Sequence, residues 1–374
     1  MNAQELIAFF MDLHRHPELG LHEFETTRKI REKLEAHGVL CVPSSLATGL
    51  TAVIQGSAPG RTIALRTDLD ALPVQEETGL SYASEVPGVM HACGHDFHAT
   101  VMLGAALRLQ AARDRLKGCV KVIFQPAEEI SEGGAAMARE DLFGDVEEFY
   151  AIHTYQPFET GTLGIKEGPV MAAPDSFSLT FTGKGTHAGQ PHKGVDPIPA
   201  MCAFVLEAQT ICSRTVNPFE PVVVSIAHVS AGTAWNVIPG TAFAEGTVRT
   251  LCRETRTDIR NRLERMAAHI AEAHGLQADF RWRPGPDPVI NDPDLCRACA
   301  SLAREMGFHV ARQEDCMLGE DFSEFLRRAP GVLIRVGTGG QFPNHHPGFT
   351  ADPQALERAA DFFARLAMER AGLT

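Results

Sequence analysis

The residues from 91 to 98, His-Ala-Cys-Gly-His-Asp-Phe-His, gather imidazoles, a thiol and a carboxylate into one short stretch. Cys93 and His95 carry ligand atoms suited to zinc or a similar transition metal. Gly94 between them permits a tight turn, so both neighbours can face one ion. The run from Ala99 to Leu107 is apolar and reads as the start of a buried helix. The cluster is therefore expected on a loop that feeds a helix N-terminus.

The elements around it decide what else can reach that ion. Leu6, Phe10 and Leu13 recur at helical spacing before Pro17, and a second amphipathic helix is predicted over 23–37, closed by Gly38. Strands are predicted over 51–54 and 62–66. The second is a short apolar run, as expected of a strand covered on both faces, and it delivers Asp68 and Asp70 at its carboxyl end. A strand over 120–124 is followed at once by Gln125-Pro126-Ala127-Glu128-Glu129, and one over 149–152 ends in His153. Ligands in open α/β sheets gather outside the carboxyl ends of strands. Three strand ends should thus present Asp68/Asp70, Glu128/Glu129 and His153 to one rim, with the 91–98 stretch on the connection between the first two.

From about Ser176 the texture changes. An alternating strand over 177–182, a Gly-rich loop over 183–192, a helix over 198–214, strands over 222–229 and 242–250, a helix ending at Gly275 and a strand over 278–282 give the order βαββαβ of a small α/β sandwich. Residues 284–288 read as the exit linker. The first texture then resumes with a helix over 294–306, a strand over 332–336 and a closing helix over 353–371. The expected organisation is a discontinuous domain, 1–175 with 287–374, interrupted by an inserted domain, 176–286.

At 374 residues the chain is long for one core, in keeping with two domains. A net charge of −13 without a Lys/Arg cluster argues against nucleic acid as a partner. No basic region followed by an apolar run marks a signal peptide, and no apolar stretch is long enough to span a bilayer. Nine scattered cysteines favour reduced thiols in a cytoplasmic setting over a disulfide framework. Cys296 and Cys299 lie in a helical pattern and read as structural.

The candidate ligands are Cys93, His95, Glu129, His153 and one of His345 and His346. Five exceed what one tetrahedral zinc needs and suit two neighbouring ions, with the Cys93 thiolate as the bridge. Glu128, beside a ligand but not itself one, has the place of a general base and later general acid in a hydrolase.

The chain resembles the dinuclear metallopeptidase and aminoacylase family. The closest likeness is to its branch of hippurate hydrolases, N-acyl-L-amino acid amidohydrolases and auxin-conjugate hydrolases. The resemblance is carried by Asp12–Leu19 (DLHRHPEL), Leu65–Pro73 (LRTDLDALP), the 91–98 stretch, Gln125–Glu129, Gly183–His192, Asn236–Pro239 with Gly246–Arg249, and Gly319–Phe322, in order along nearly the whole chain. It implies an α/β fold: a zinc-peptidase-like catalytic domain, a mixed sheet flanked by helices, with a ferredoxin-like lid and dimerisation domain inserted. It implies two divalent ions (Zn²⁺, Mn²⁺, Co²⁺ or Ni²⁺) on Cys93, His95, Glu129, His153 and, by motif spacing, His345. Glu128 is the implied base, and Asp70 orients a ligand. His187 would stabilise the oxyanion, often from a neighbouring subunit. Asn236 and Arg249 would hold the substrate's backbone and carboxylate.

The implied reaction is metal-dependent hydrolysis of an N-acyl amino acid to a carboxylate and the free amino acid. A dipeptidase, an N-acetyl-diaminopimelate deacetylase and a non-catalytic binding relative are the alternatives. His14 and His16 are expected to fix the first helix, His98 to cap or support, and Glu320 and Asp321 to cap a following helix.

Overall fold

A computed structural model describes residues 1–373. The chain opens with α1 (Ala3–Arg15), whose Asn2 and Glu5 form a reciprocal capping box, and α2 (Phe24–Ala36). Then come β1 (Leu40–Pro43), β2 (Leu50–Gln55), β3 (Ala58–Asp68), α3 (His95–Ala111), β4 (Lys117–Gln125), the short α4 (Gly133–Met137), β5 (Glu148–Tyr155), β6 (Thr162–Gly164) and β7 (Gly168–Met171). The middle of the chain supplies β8 (Ala173–Thr182), β9 (Thr186–His187), α5 (Pro197–Thr210), β10 (Val222–Ala231), β11 (Val237–Ile238), β12 (Thr241–Thr250), α6 (Arg253–His274) and β13 (Gln277–Arg283). The chain closes with β14 (Val289–Asn291), α7 (Pro293–Glu305), β15 (His309–Ala311), β16 (Gly331–Gly337) and α8 (Leu356–Ala371).

Two compact units result, one of Met1–Val170, Ile290–Glu314 and Asp321–Thr374, the other of Met171–Val289 and Asp315–Glu320. The larger unit is a mixed α/β body. Its eight-stranded sheet has the order β1-β2-β4-β3-β5-β16-β6-β15. The central strands β4, β3, β5 and β16 run parallel, with Asp68 opposite Gln125 and Arg335 opposite His153. Their carboxyl ends therefore share one rim. α3 is buried all round, as a helix apolar on every face must be, and packs on α8.

Most boundaries follow the periodicity, and the differences have causes. β5 does not stop at His153. The ladder with β16 continues through Val336 opposite Thr154 and Gly337 opposite Tyr155, so His153 stands inside the strand. α3 ends at Ala111, and Lys117 already begins β4. β1, β6, β14 and β15 are three or four residues long, too short to show a period.

The smaller unit holds a four-stranded antiparallel sheet in the order β10-β12-β8-β13. Read as βαββαβ, that is strand order 2-3-1-4, the ferredoxin-like arrangement. Phe177, Leu179 and Phe181 alternate on β8 to face Phe204 of α5 and Leu263 of α6 in its core. Among the described residues no helix is long and apolar enough to cross a membrane.

Candidate metal centre

The rim of the parallel strands holds a dense cluster of ligand-type side chains. Gly94 precedes α3 with φ of 85°, a left-handed value that glycine takes without strain. A Cβ there would lie 2.9 Å from Thr154, so the position is closed to other residues on two counts. The turn places Cys93 and His95 on one side. Pro126-Ala127 makes a second sharp turn, with Ala127 at φ of 55°, outside the usual range for a residue with a Cβ. Buried Glu23 steadies it by accepting the Ala127 N–H at 2.8 Å. Asp70 accepts the N–H groups of Glu128 and Glu129 at 3.1 and 3.0 Å, which turns both carboxylates toward the site.

The imidazole tautomers follow from their partners. His95 Nδ1 donates to Asp70 Oδ1 at 3.2 Å, and His153 Nδ1 donates to the Thr154 carbonyl at 2.8 Å. In its neutral form each ring thus presents a bare Nε2 lone pair. His95 Nε2 lies 3.8 Å from Glu129 Oε1 and 3.9 Å from Glu128 Oε2. His153 Nε2 lies 3.7 Å from the Cys93 sulfur, and His345 Nε2 lies 3.4 Å from Glu129 Oε2. Ligand atoms on a tetrahedral ion with bonds of zinc length sit about 3.4–3.8 Å apart. Among the described residues four groups of ligand-type side chains lie close enough to hold an ion, and two of them share Glu129: Cys93, Glu129 and His345, and His95, Glu128 and Glu129.

This set fits a divalent cation. His95 Nε2 and Glu129 Oε1 are buried and have no hydrogen-bond partner among the described residues, a condition that costs free energy until something binds. Burial alone would lower the pKa of His95, yet the Asp68 charge and the Asp70 hydrogen bond hold it well above the usual value. In the absence of a metal, a proton answers the same negative field. Burial, with Glu129 adding, pushes the Cys93 thiol up to about 12, so the thiolate forms together with a bound cation.

The pair His345 and His346 is divided by the backbone. His345 takes φ of 68° and donates its N–H to the Ala92 carbonyl at 2.7 Å, which aims its ring at Glu129. His346 instead stacks on Phe342 at 4.3 Å between centroids, outside the cluster.

In the smaller unit, β9 pairs with β11 so that His187 stands opposite Val237, beside Asn236. His187 Nδ1 accepts the Gly189 N–H at 3.0 Å, so its neutral ring donates through Nε2. Arg249 is half-buried near the far end of β12, opposite Pro174. Thr241, at the other end of that strand, is about 26 Å away at the usual rise. The fold thus brings His187 and Asn236 together and leaves Arg249 apart.

Behind the ligands lies a network that the spacing of the sequence does not reveal. Arg66, wholly buried, donates to Asp68 at 2.8 Å, Asp321 at 2.6 Å and Gln125 at 2.9 Å. Asp321, expected only as a helix cap, has a further role here. Its carboxylate faces Arg66, Gln125 and the Gly134 N–H, because a buried guanidinium needs the counter-charge. The signal available was an arginine inside an apolar parallel strand. His14 is held by Asp96 at 2.6 Å and Glu76 at 3.4 Å, and His16 is exposed. All nine cysteines are free, and burial pushes the Cys296 thiol up to about 12, as suits a structural residue.

A mixed α/β sheet with imidazoles, a thiolate former and carboxylates at its carboxyl rim defines a metal-dependent hydrolase scaffold. Comparison with known proteins gives its family. Residues 64–369 match the model of Peptidase family M20/M25/M40. An N-acetylcysteine deacetylase of Bacillus subtilis is 43% identical over 365 residues, covering 97% of this chain and 96% of that protein. An N-acetyldiaminopimelate deacetylase of Streptococcus sanguinis is 39% identical, covering 94% of each. The crystal structure of the Bacillus subtilis YXEP protein, described as a dinuclear metal binding peptidase from the M20 family, superposes with a TM-score of 0.90 at 40% identity, over 99% of this chain and 98% of that one. The chain belongs to Peptidase family M20/M25/M40, and with it to the metal-dependent hydrolases that act on amide bonds.

Proposed function

We propose that the protein hydrolyses small N-acyl amino acids, N-acetyl ones foremost, to a carboxylate and the free amino acid. Cys93, His95, Glu129, His153 and His345 would hold two divalent ions. The observation that carries this reading is the pair of bare Nε2 atoms on His95 and His153, facing Glu129 and the Cys93 sulfur at 3.8 and 3.7 Å. The bound ions supply Lewis acidity, which acidifies a water and polarises the amide carbonyl.

Glu128 is the proton carrier. Its side chain is 11% exposed, so it borders both the cluster and solvent, and its Oε2 is 3.9 Å from His95 Nε2. It takes a proton from the attacking water and passes it to the leaving nitrogen, so that C–N cleavage yields a neutral amine. Asp70 fixes the His95 tautomer and both Glu128 and Glu129 backbones at once. His187 and Asn236, supplied by a neighbouring subunit, would stabilise the oxyanion and bind the substrate backbone, while Arg249, near the far end of its own β12, would grip the carboxylate.

The substrate class is supported by the two similar deacetylases, whose names both give an N-acetylated amino acid. A homodimer through the smaller unit is supported by β10, an edge strand exposed along much of its length. Amine release should be measured from N-acetyl-cysteine, N-acetyl-methionine, N-acetyl-diaminopimelate, hippurate and a plain dipeptide. Metal-stripped protein is compared before and after addition of Zn²⁺, Mn²⁺ or Co²⁺. Metal-restored cleavage of the N-acetyl substrates over the dipeptide is expected. Cleavage of the dipeptide alone would replace the reading with a dipeptidase, and silence with no metal bound would remove the centre itself.

A further inference from the structure

His98 touches the cluster without joining it, and its hydrogen bonds fix its state. The Thr154 N–H donates to His98 Nε2 at 2.7 Å, so that nitrogen carries no proton. The proton sits on Nδ1, which donates to Asp68 Oδ1 at 2.6 Å. Arg66 holds only the other oxygen, Asp68 Oδ2, at 2.8 Å. Asp68 Oδ1 is meanwhile only 3.8 Å from the bare Nε2 of His95. The carboxylate is close enough to enter the coordination sphere, and His98 occupies the oxygen that would do so.

The same ring governs His153. Thr154 donates its N–H to His98, accepts from His153 Nδ1 through its carbonyl at 2.8 Å and donates its hydroxyl proton to the Cys93 carbonyl at 2.9 Å. The His98 and His153 rings lie 4.9 Å apart between centroids. The tautomer and direction of His153 are thus set at the carbonyl of the same residue whose N–H His98 holds.

We propose that His98 is a positioning residue that sets the metal preference of the centre. It keeps the hard oxygen of Asp68 out of coordination and holds His153 Nε2 toward Cys93. The ions then meet a sphere rich in sulfur and imidazole, which favours zinc and cobalt over manganese. Without His98, Asp68 is free to add a carboxylate ligand, and the preference shifts toward manganese. The inference rests on the ligand set proposed above.

The test is metal binding by the apo protein, read independently of turnover. Co²⁺ and Mn²⁺ affinities and the visible spectrum of the Co²⁺ protein, including its thiolate charge-transfer band, are measured for wild type, His98→Ala and His98→Asn. The alanine variant is expected to lose about 10–100-fold in Co²⁺ affinity, to lose less for Mn²⁺, and to change the cobalt spectrum. His98→Asn, whose amide can donate near Asp68 but whose shorter side chain places no acceptor at the position of Nε2, should recover most of the cobalt-over-manganese preference. It should not recover the spectrum. It also carries the test should the alanine variant fail to fold. Variants with the wild-type ratio of affinities and the wild-type spectrum would overturn the role of His98. A wild-type protein that binds no metal, or binds it with no thiolate band, would overturn the ligand set and this inference with it.

Discussion

The two groups of polar side chains at the rim of the large sheet differ in what they leave unpaired. In the candidate ligand cluster, buried His95 Nε2 and Glu129 Oε1 have no hydrogen-bond partner among the described residues, and two residues with a Cβ, Ala127 and His345, adopt left-handed backbone. A few ångströms behind it, Arg66, Asp68, Asp321, Gln125 and His98 are no less buried, yet each is held by short hydrogen bonds. Burying polar atoms costs the same in both places. The first group leaves that cost standing until a cation arrives, and the second offsets it within the fold. One set is thus built to bind and the other to hold the binding set still.

The sharpest break in this comparison is at Glu128. Glu128→Gln keeps the shape and removes the proton carrier, so turnover should fall by about 10²–10⁴-fold. Metal content by elemental analysis should stay near wild type. A variant retaining its rate with both metals bound would remove Glu128 from the reaction. Next in size is the pair Arg66→Met and His345→Ala. Removing Arg66 strands two buried carboxylates and should cost about 3–5 kcal/mol in urea denaturation. His345→Ala should leave the stability of the metal-free protein within about 1 kcal/mol, since the ring is 52% exposed, and should lower metal occupancy. Equal stability losses in the two variants would erase the distinction between the groups.

Legibility in the sequence followed the same division. The candidate ligands were readable because Glu128-Glu129 and His153 follow apolar strand runs and Cys93-Gly94-His95 opens the apolar run of α3. The ferredoxin-like order was readable because β8, β12 and α6 are long enough to show their periods. Of the supporting network, Asp68 and His98 are placed beside the site by the sequence, but the pairing of Arg66 with Gln125 and Asp321 is not readable, because no short spacing links those three. Only contact across the sheet makes Asp321 the partner of Arg66, a pairing of residues 255 positions apart. Motif spacing alone selects His345 over His346 in the sequence, and the backbone angle that turns His345 toward Glu129 is one that no composition reveals. His153 was read as a strand end because the apolar run stops there, whereas pairing with β16 carries the ladder two residues further.

His14 offers a smaller effect with a definite sign. Burial lowers its pKa, but Asp96, then Glu76, more than offset this and raise it to about 9, against 6.5 for an unperturbed histidine. Protonated His14 therefore stabilises the fold fully below about pH 6.5, and that contribution is lost as pH rises through 9. The stability gap between wild type and His14→Gln should be on the order of 3 kcal/mol at pH 6 and shrink markedly by about pH 9.5. Urea midpoints at the two pH values measure it. A gap unchanged with pH would mean that His14 is neutral and belongs with the satisfied group by shape alone.

The smallest expected effect separates two neighbours. His345 and His346 share a loop, but only His345 faces Glu129, at 3.4 Å. His346 has its Nδ1 taken by the Gly348 N–H at 3.0 Å, and its ring lies nearly parallel to Phe342, 3° between planes. His346→Ala removes one exposed aromatic stack, a loss of about 0.5–1 kcal/mol, and touches neither ligand group. Metal content and turnover should stay within about twofold of wild type, while His345→Ala loses metal. The reverse pattern would move the ligand to His346. The left-handed turn at His345 would then serve only to present its neighbour.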